Sequence, residues 1–389
     1  MLETLVVYIG LALLMCHFFR LSEKYETLNK KGYSVICFLI PILLFSVIFG
    51  MRYYVGIDYP TYLEIYEKQN YRVERFEPVF YWITTTCGNY NLHFSIYFGI
   101  IAFIQAFFFF SAFRNDKKIL RFLPIVLIFS GVVQVSWMNG MRQACAMCIF
   151  VFALSILSQR NLKSIIIYYA LIALAIGFHK TALILAVVPL ILLRKDYFFK
   201  NVYVQIGLVS IFFVGRIFNL KAGFLDNLDF ILAITEFDNY SDVLENSTGS
   251  AIGIFDILTL LMYIFLIIKS PAIKQFYKGD NFFRIVYDLF IVGICLDYFF
   301  SGSMMLRRAV EYFSVFSYPI FAYYWAYYFY NKKKEVRQMR LVISVYIVLS
   351  FVRLMSSMTT NTAQFAFYFQ DDLRPVKEMQ HASRNRNVN

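Results

Sequence analysis

Apolar runs of roughly 17–25 residues recur from Leu5 to Leu354, and at about 1.5 Å of rise per residue each is long enough to cross a bilayer core. Inside hydrocarbon every backbone N–H and C=O must be satisfied within the segment, so such runs specify helices. About twelve read as spans: residues 3–19, 33–50, 92–113, 120–137, 141–158, 162–178, 181–194, 202–219, 252–268, 282–300, 309–330 and 341–355. The expected fold class is an all-α polytopic membrane protein with about twelve transmembrane helices. The run at 181–194 is short and holds Pro189, which fits a kinked or partly crossing segment. Segment 78–87 fits a re-entrant or interfacial helix. The first run, from Leu5 to Phe19, has neither a basic leading segment nor a small-residue cleavage site, so it is expected to be a retained span. Residues 1–355 then form a single transmembrane domain, followed by an extracytoplasmic C-terminal tail, 356–389.

A net charge of +12 would point to nucleic acid in a soluble protein, but here the basic residues lie mostly in short loops between apolar runs and set topology instead. The loops at 20–32, 114–121, 158–163, 194–200, 269–284 and 331–340 hold 22 of the 37 Lys and Arg residues, against 15 on the other side. By the positive-inside rule the first set is cytoplasmic and both termini are expected outside. The outer side has three longer segments, about 51–91, 220–251 and 356–389; the middle one is acidic and rich in Asn, Ser and Gly, readable as a lid or as a solvated loop. The six Cys fall almost wholly in apolar runs, where a thiol packs as a small hydrophobe. Cys145-x-x-Cys148 has the spacing of a metal half-site without a second Cys pair or a His beside it, so it is read as helix packing, and no metal ligand or cofactor is assigned.

Charges at membrane depth are costly and usually functional. On this topology Arg52, Asp58, Glu77, Arg142, His179, Lys180, Arg216, Asp256, Asp297, Arg307, Arg308, Glu311 and Arg353 all fall at or near the extracytoplasmic ends of spans, and only Asp288 lies clearly toward the inner half. Snorkelling explains single cases, but it would divide the set between two faces. The bias predicts one polar chamber on the outer face.

Several stretches supply candidate chemistry. Arg52 follows the second run and can point back into the chamber, Gly56 permits a tight turn, and Asp58, two residues before Pro60, either caps a short helix over about 60–68 or acts as a ligand. Glu77 before Pro78 has the same two readings. The Tyr-rich stretch 53–71, including Tyr53 and Tyr62, suits stacking on sugar rings as well as an ordinary membrane interface. Asn139, Arg142 and Gln143 mark a tight turn that puts Arg142 in the first turn of the next helix, where free N–H groups and the positive dipole end already favour an anion. A guanidinium there either completes an anion site or snorkels to the interface. His179 ends an apolar span before Lys180 and reads either as a packing residue or as a base. Arg307 and Arg308, with Glu311 a turn later, read as a surface pair or as a grip for a diphosphate.

At these residues the chain resembles the EpsG-type, Wzy-like bacterial polysaccharide polymerases: the Arg…Gly-x-Asp…Tyr segment (Arg52, Gly56, Asp58, Tyr62), the following Glu-Pro (Glu77, Pro78), the Asn-x-x-Arg-Gln turn (Asn139, Arg142, Gln143), the Phe-His-x-Thr-Ala element (Phe178, His179, Thr181, Ala182) and a late Arg…Tyr-Phe (Arg308, Tyr312, Phe313). Lys180 departs from the small or polar residue expected after the His. The resemblance implies a GT-C-like fold related to the O-antigen ligases, in the bacterial inner membrane. It also implies a metal-independent glycosyltransferase joining undecaprenyl-diphosphate-linked oligosaccharide repeat units on the extracytoplasmic side, together with membrane lipids and a chain-length regulator. With no acidic cluster suited to Mg²⁺, guanidiniums are the available stabilisers of the diphosphate leaving group, Arg142 and Arg308 foremost. His179 has the pKa range for the base, with Glu77 and Asp58 as alternatives. Arg52, Arg307, Tyr53, Tyr62, Asn139, Gln143 and Glu311 are the expected substrate-binding residues. A lipid-linked oligosaccharide flippase is the competing reading, expected to place its charges near the midplane; an extracytoplasmic ligase or acyltransferase is another.

Overall fold

The computed structural model describes residues 2–69, 77–189, 194, 196–219, 252–301, 304–331, 334–357 and 364–370. Among them the regular elements are helical, with one isolated bridge between Arg52 and Phe367. In chain order they are α1 (Leu2–Thr27), α2 (Lys31–Gly50), α3 (Tyr59–Lys68), α4 (Pro78–Asn89), α5 (Phe94–Ala112), a short α6 (Lys117–Leu120), α7 (Leu123–Phe129) and a π-helical turn (Val133–Trp137). Then come α8 (Met141–Leu157), α9 (Leu162–Phe178), a 3-10 segment (Lys180–Val187), α10 (Val202–Ile217), α11 (Ile254–Phe276), α12 (Asn281–Phe299), α13 (Met304–Ser314), α14 (Ser317–Tyr330) and α15 (Lys334–Ser357). Among the described residues α1, α2, α5, α11 and residues 336–356 of α15 are long and apolar enough to cross a membrane, and α8, α9 and α10 are shorter apolar helices. The chain is a multi-pass membrane protein.

Two runs expected to be single spans are broken. The stretch 120–137 divides into α7 and the π-turn, because Gly131 takes a left-handed φ of +84° between them; a π-turn inside a helix tends to mark a functional site. The stretch 309–330 divides into α13 and α14 at residues 315–316. The short run at 181–194 opens as the 3-10 segment. The acidic loop 220–251 and residues 371–389 of the tail lie outside the described residues. Residues 364–370, expected to be plain tail, instead return across the ends of α1, α2 and α5: Tyr53 N donates to Ala366 O at 2.9 Å, and the Phe365 ring packs on Tyr8 and Phe49.

Helix α8 is buried almost all round, as a helix apolar on every face must be. Helices α1, α2, α5, α8 and α9 pack successively. Close approach depends on missing side chains: a Cβ at Gly50 would stand 2.6 Å from Ser95 O and 2.8 Å from Gly99 Cα, which lets α2 lie against α5. This antiparallel threading gathers the C-terminal ends of α2, α9, α10, α12 and α15 with the N-terminal ends of α8 and α11, and there Arg52, His179, Arg216, Asp297, Arg353, Arg142 and Asp256 sit. Asp288 lies toward the other end, bonded to the loop N–H of Phe198 at 3.0 Å.

Candidate active site

The site is assembled by two close contacts. Gly177, in the last turn of α9, has no side chain, and a Cβ there would run into Val79. The first turn of α4, begun by Pro78, therefore seats against the end of α9. The residue before it, Glu77, is thereby carried to His179, which leaves the helical path as the C-cap of α9 with an extended backbone. The second contact fixes Arg142. Asn139 Oδ1 accepts from Ile57 N at 2.6 Å while its Nδ2 donates to Val135 O at 2.9 Å, tying the Gly56 loop to the turn that starts α8. Gly56 holds φ +104° there, and a Cβ would stand 2.7 Å from Asn139 Oδ1.

These contacts bring Glu77, Arg142 and His179 together. Glu77 Oε2 accepts from Arg142 Nη1, and Glu77 Oε1 lies 2.6 Å from His179 Nδ1. Glu77 is 3 % exposed and His179 8 %. Burial alone would raise the Glu77 pKa, but the hydrogen bond from His179 and the charge of Arg142 outweigh it and hold the carboxyl below its ordinary value. An ionised carboxylate only accepts, so His179 Nδ1 must carry the proton, which leaves Nε2 with a lone pair in the neutral imidazole. The Arg142 guanidinium also lies over the rings of Phe80 at 5.8 Å and Tyr62 at 6.0 Å.

Two expectations are corrected here. Helices α3 and α4 form, but neither Asp58 nor Glu77 makes a side-chain cap bond, so the capping readings fail. Glu77 is spent on the triad. The chain also supplies from within itself an anion for Arg142, at the helix start expected to await one.

The EpsG family model matches residues 35–370, a span that includes the triad. The chain belongs to the EpsG family. No curated protein and no solved structure matches it.

In this EpsG-family chain the other expected site residues divide between the triad's surroundings and its frame. Arg308 is exposed on α13, and Asp58 feels both its charge and that of Arg142; burial nevertheless keeps the Asp58 carboxyl above its ordinary pKa. Lys180 is exposed next to His179, and Thr181 Oγ1 bonds the Tyr312 hydroxyl at 3.2 Å. Tyr62 is buried beside Arg142. Gln143 Nε2 donates to Arg308 O at 2.5 Å and to Glu311 Oε2 at 3.2 Å, fastening α8 to α13. Glu311 also accepts from Ser136 Oγ at 3.2 Å. Tyr53 packs among Tyr54, Tyr59 and Phe94.

Arg52 stands apart from the triad. It is 2 % exposed, with its guanidinium over Phe98 at 5.2 Å and Tyr59 at 5.8 Å and donating to Met138 O at 3.3 Å. Burial pulls its pKa down to about 10, which still leaves it cationic at neutral pH. It braces the turn ahead of α8. The side chain of Arg307 lies outside the described residues. Cys145 and Cys148 are fully buried in α8, and among the described residues no group of three or more His, Cys, Asp or Glu is placed to hold a metal. Sequence reasoning gave no site role to Gly177 or Ser136. Gly177 left a trace, as a Gly in the last turn of an apolar span.

Proposed function

We propose that this protein is a polysaccharide polymerase of the O-antigen, capsule or exopolysaccharide type, a metal-independent glycosyltransferase that joins undecaprenyl-diphosphate-linked oligosaccharide repeat units. Membership of the EpsG family supports a polymerase-type role in membrane polysaccharide biosynthesis. The observation that carries the mechanism is the Glu77 carboxylate shared between His179 and Arg142. A carboxylate on Nδ1 orients the imidazole and stabilises the imidazolium that forms when Nε2 takes a proton, the logic by which acid–base dyads work on many folds.

In this reading the acceptor sugar hydroxyl gives its proton to His179 Nε2 as its oxygen attacks the donor's anomeric carbon. The bond from that carbon to the diphosphate oxygen breaks, and the electron pair leaves on the diphosphate. Arg308, exposed at the chamber, and Arg142, positioned by Glu77, face the developing charge. Asp58, beside these two guanidiniums, is the alternative base. The finer architecture belongs to the same proposal: about twelve spans, a GT-C-like fold, an inner-membrane location with both termini and the site on the extracytoplasmic side, membrane lipids around it, and a separate chain-length regulator as partner.

The deciding experiment compares the lipid-linked glycan of cells with and without this protein. Loss of a polymerase leaves single repeat units at the cell surface, whereas loss of a flippase removes surface units altogether and loss of a ligase leaves long chains on the carrier. Long carrier-linked chains in cells lacking the protein would refute the proposal.

A further inference from the structure

A second chamber lies beside the triad, across α13. It is a cavity of about 440 Å³ between α7, the π-turn, α11, α12, α13, α14 and α15. The break at Gly131, whose φ is +84°, lies on its lining, with the Leu354 side chain packed close over the glycine. Its edge toward the triad is Glu311, which accepts from Ser136 and from Gln143, the neighbour of Arg142. One wall is a stacked column: Arg353 over Phe255 at 4.4 Å, Phe255 on Tyr346 at 5.9 Å and 24°, and Tyr346 on Phe321 at 5.2 Å and 14°. Asp297 and several serines, Ser314 and Ser350 among them, supply polar groups elsewhere on the lining.

We infer that this cavity binds the sugar rings of the acceptor repeat unit, a deepening that rests on the polymerase reading. A polymerase must hold two lipid-linked substrates at once. The donor brings its diphosphate to the reacting centre, and the guanidiniums of Arg142 and Arg308 suit that anion. The acceptor brings a hydroxyl. The cavity matches the second: an aromatic wall for the apolar face of a pyranose to pack against, hydroxyls and carboxylates that bond its rim, and a volume in the range of small-ligand sites. Two carboxylates against one guanidinium would repel a diphosphate, and a polyisoprenoid tail would leave Asp297, Glu311 and Arg353 facing hydrocarbon at high cost. Glu311 then joins the acceptor's cavity to Gln143, the neighbour of Arg142.

The test is equilibrium binding to the purified full-length protein by calorimetry, with two probes: the repeat-unit oligosaccharide released from its lipid diphosphate by mild acid, and undecaprenyl phosphate without sugar. The oligosaccharide should bind the wild type. Ser350→Phe, which fills the cavity, and Tyr346→Leu, which breaks the aromatic wall, should each weaken it at least about tenfold, equal to ~1.4 kcal/mol, while both variants stay folded and monodisperse. Tyr346→Phe keeps the ring and should bind nearly as the wild type does. Oligosaccharide affinity unchanged by Ser350→Phe, no binding to wild type, or displacement of the oligosaccharide by undecaprenyl phosphate would each overturn the assignment. Failure of the polymerase reading looks different: sugar still binds this cavity, yet intact lipid-linked units do not grow.

Discussion

Buried Arg–carboxylate pairs stand at both ends of this bundle, and they do different things. At the end with the basic loops, Arg284 and Asp288 pair at 3.2 Å, i to i+4 on α12, and are 5 % and 3 % exposed. Arg284 also donates to Asp196 O at 3.1 Å and Asp288 accepts from Phe198 N at 3.0 Å, so the pair is occupied with holding the loop after the 3-10 segment. At the other end one carboxylate, Glu77 ahead of α4, is shared between Arg142 at the start of α8 and His179 at the end of α9. Burial of an ion pair is weak evidence of function. What distinguishes the second pair is that its carboxylate also holds an imidazole brought in from a third segment.

Removing one carboxylate from each pair should separate the two roles. Glu77→Gln should insert normally but lower polymerisation by ~10²–10⁴-fold, the usual weight of general-base help, since the imidazole loses its orienting anion. Asp288→Asn should keep the rate per folded molecule and instead lower yield and melting temperature, because stripping a buried charge of its partner costs ~3–5 kcal/mol. Equal losses of turnover in both variants, measured on purified protein, would break the comparison. Arg142→Lys comes next, with an expected loss of about 10²-fold, because Lys keeps the charge without the planar fork. Arg308→Lys should act in the same direction. Normal chain length in Arg142→Lys cells would reassign the diphosphate contact.

The smallest effect is a pH signature in detergent melts. The Glu77 pKa is depressed in the fold, so its stabilisation is fully present above the ordinary carboxylate range near 4.3 and fades as pH falls through the depressed value. The destabilisation in Glu77→Gln should therefore shrink on acidification. Asp58 is raised, so its ionisation weakens the fold above that raised value. Asp58→Asn should then melt slightly higher at neutral pH and no higher in acid; the opposite order would contradict the assigned environments.

Much of the helix placement was legible in the sequence because spans are written in hydropathy: the runs at 3–19, 33–50 and 92–113 return as α1, α2 and α5. The breaks at Gly131 and at 315–316 were not legible, since both lie inside continuous apolar runs and hydropathy does not register the left-handed φ of Gly131. The strap at 364–370 is held by a remote contact: Phe365 buries against Tyr8 and Phe49. The ionisable residues mark one end of the bundle, but residue type alone could not rank Glu77, Asp58 and His179 as bases. That ranking depends on contacts between residues 77, 142 and 179. Arg52 shows the converse, a charge enclosed by aromatic rings at the same end of the bundle.

The proposed reaction turns on His179, which removes the acceptor proton while Glu77 orients it. Its most direct test is the rate of chain growth by purified His179→Gln protein on isolated lipid-linked repeat units, with chelator present and no metal added. Gln keeps similar size and hydrogen bonding but takes no proton near neutral pH, so the rate should fall by ~10²–10⁴-fold with binding of the lipid-linked unit retained. A variant that keeps more than about a tenth of the wild-type rate, well above that range, would make His179 a packing residue and pass the role to Asp58.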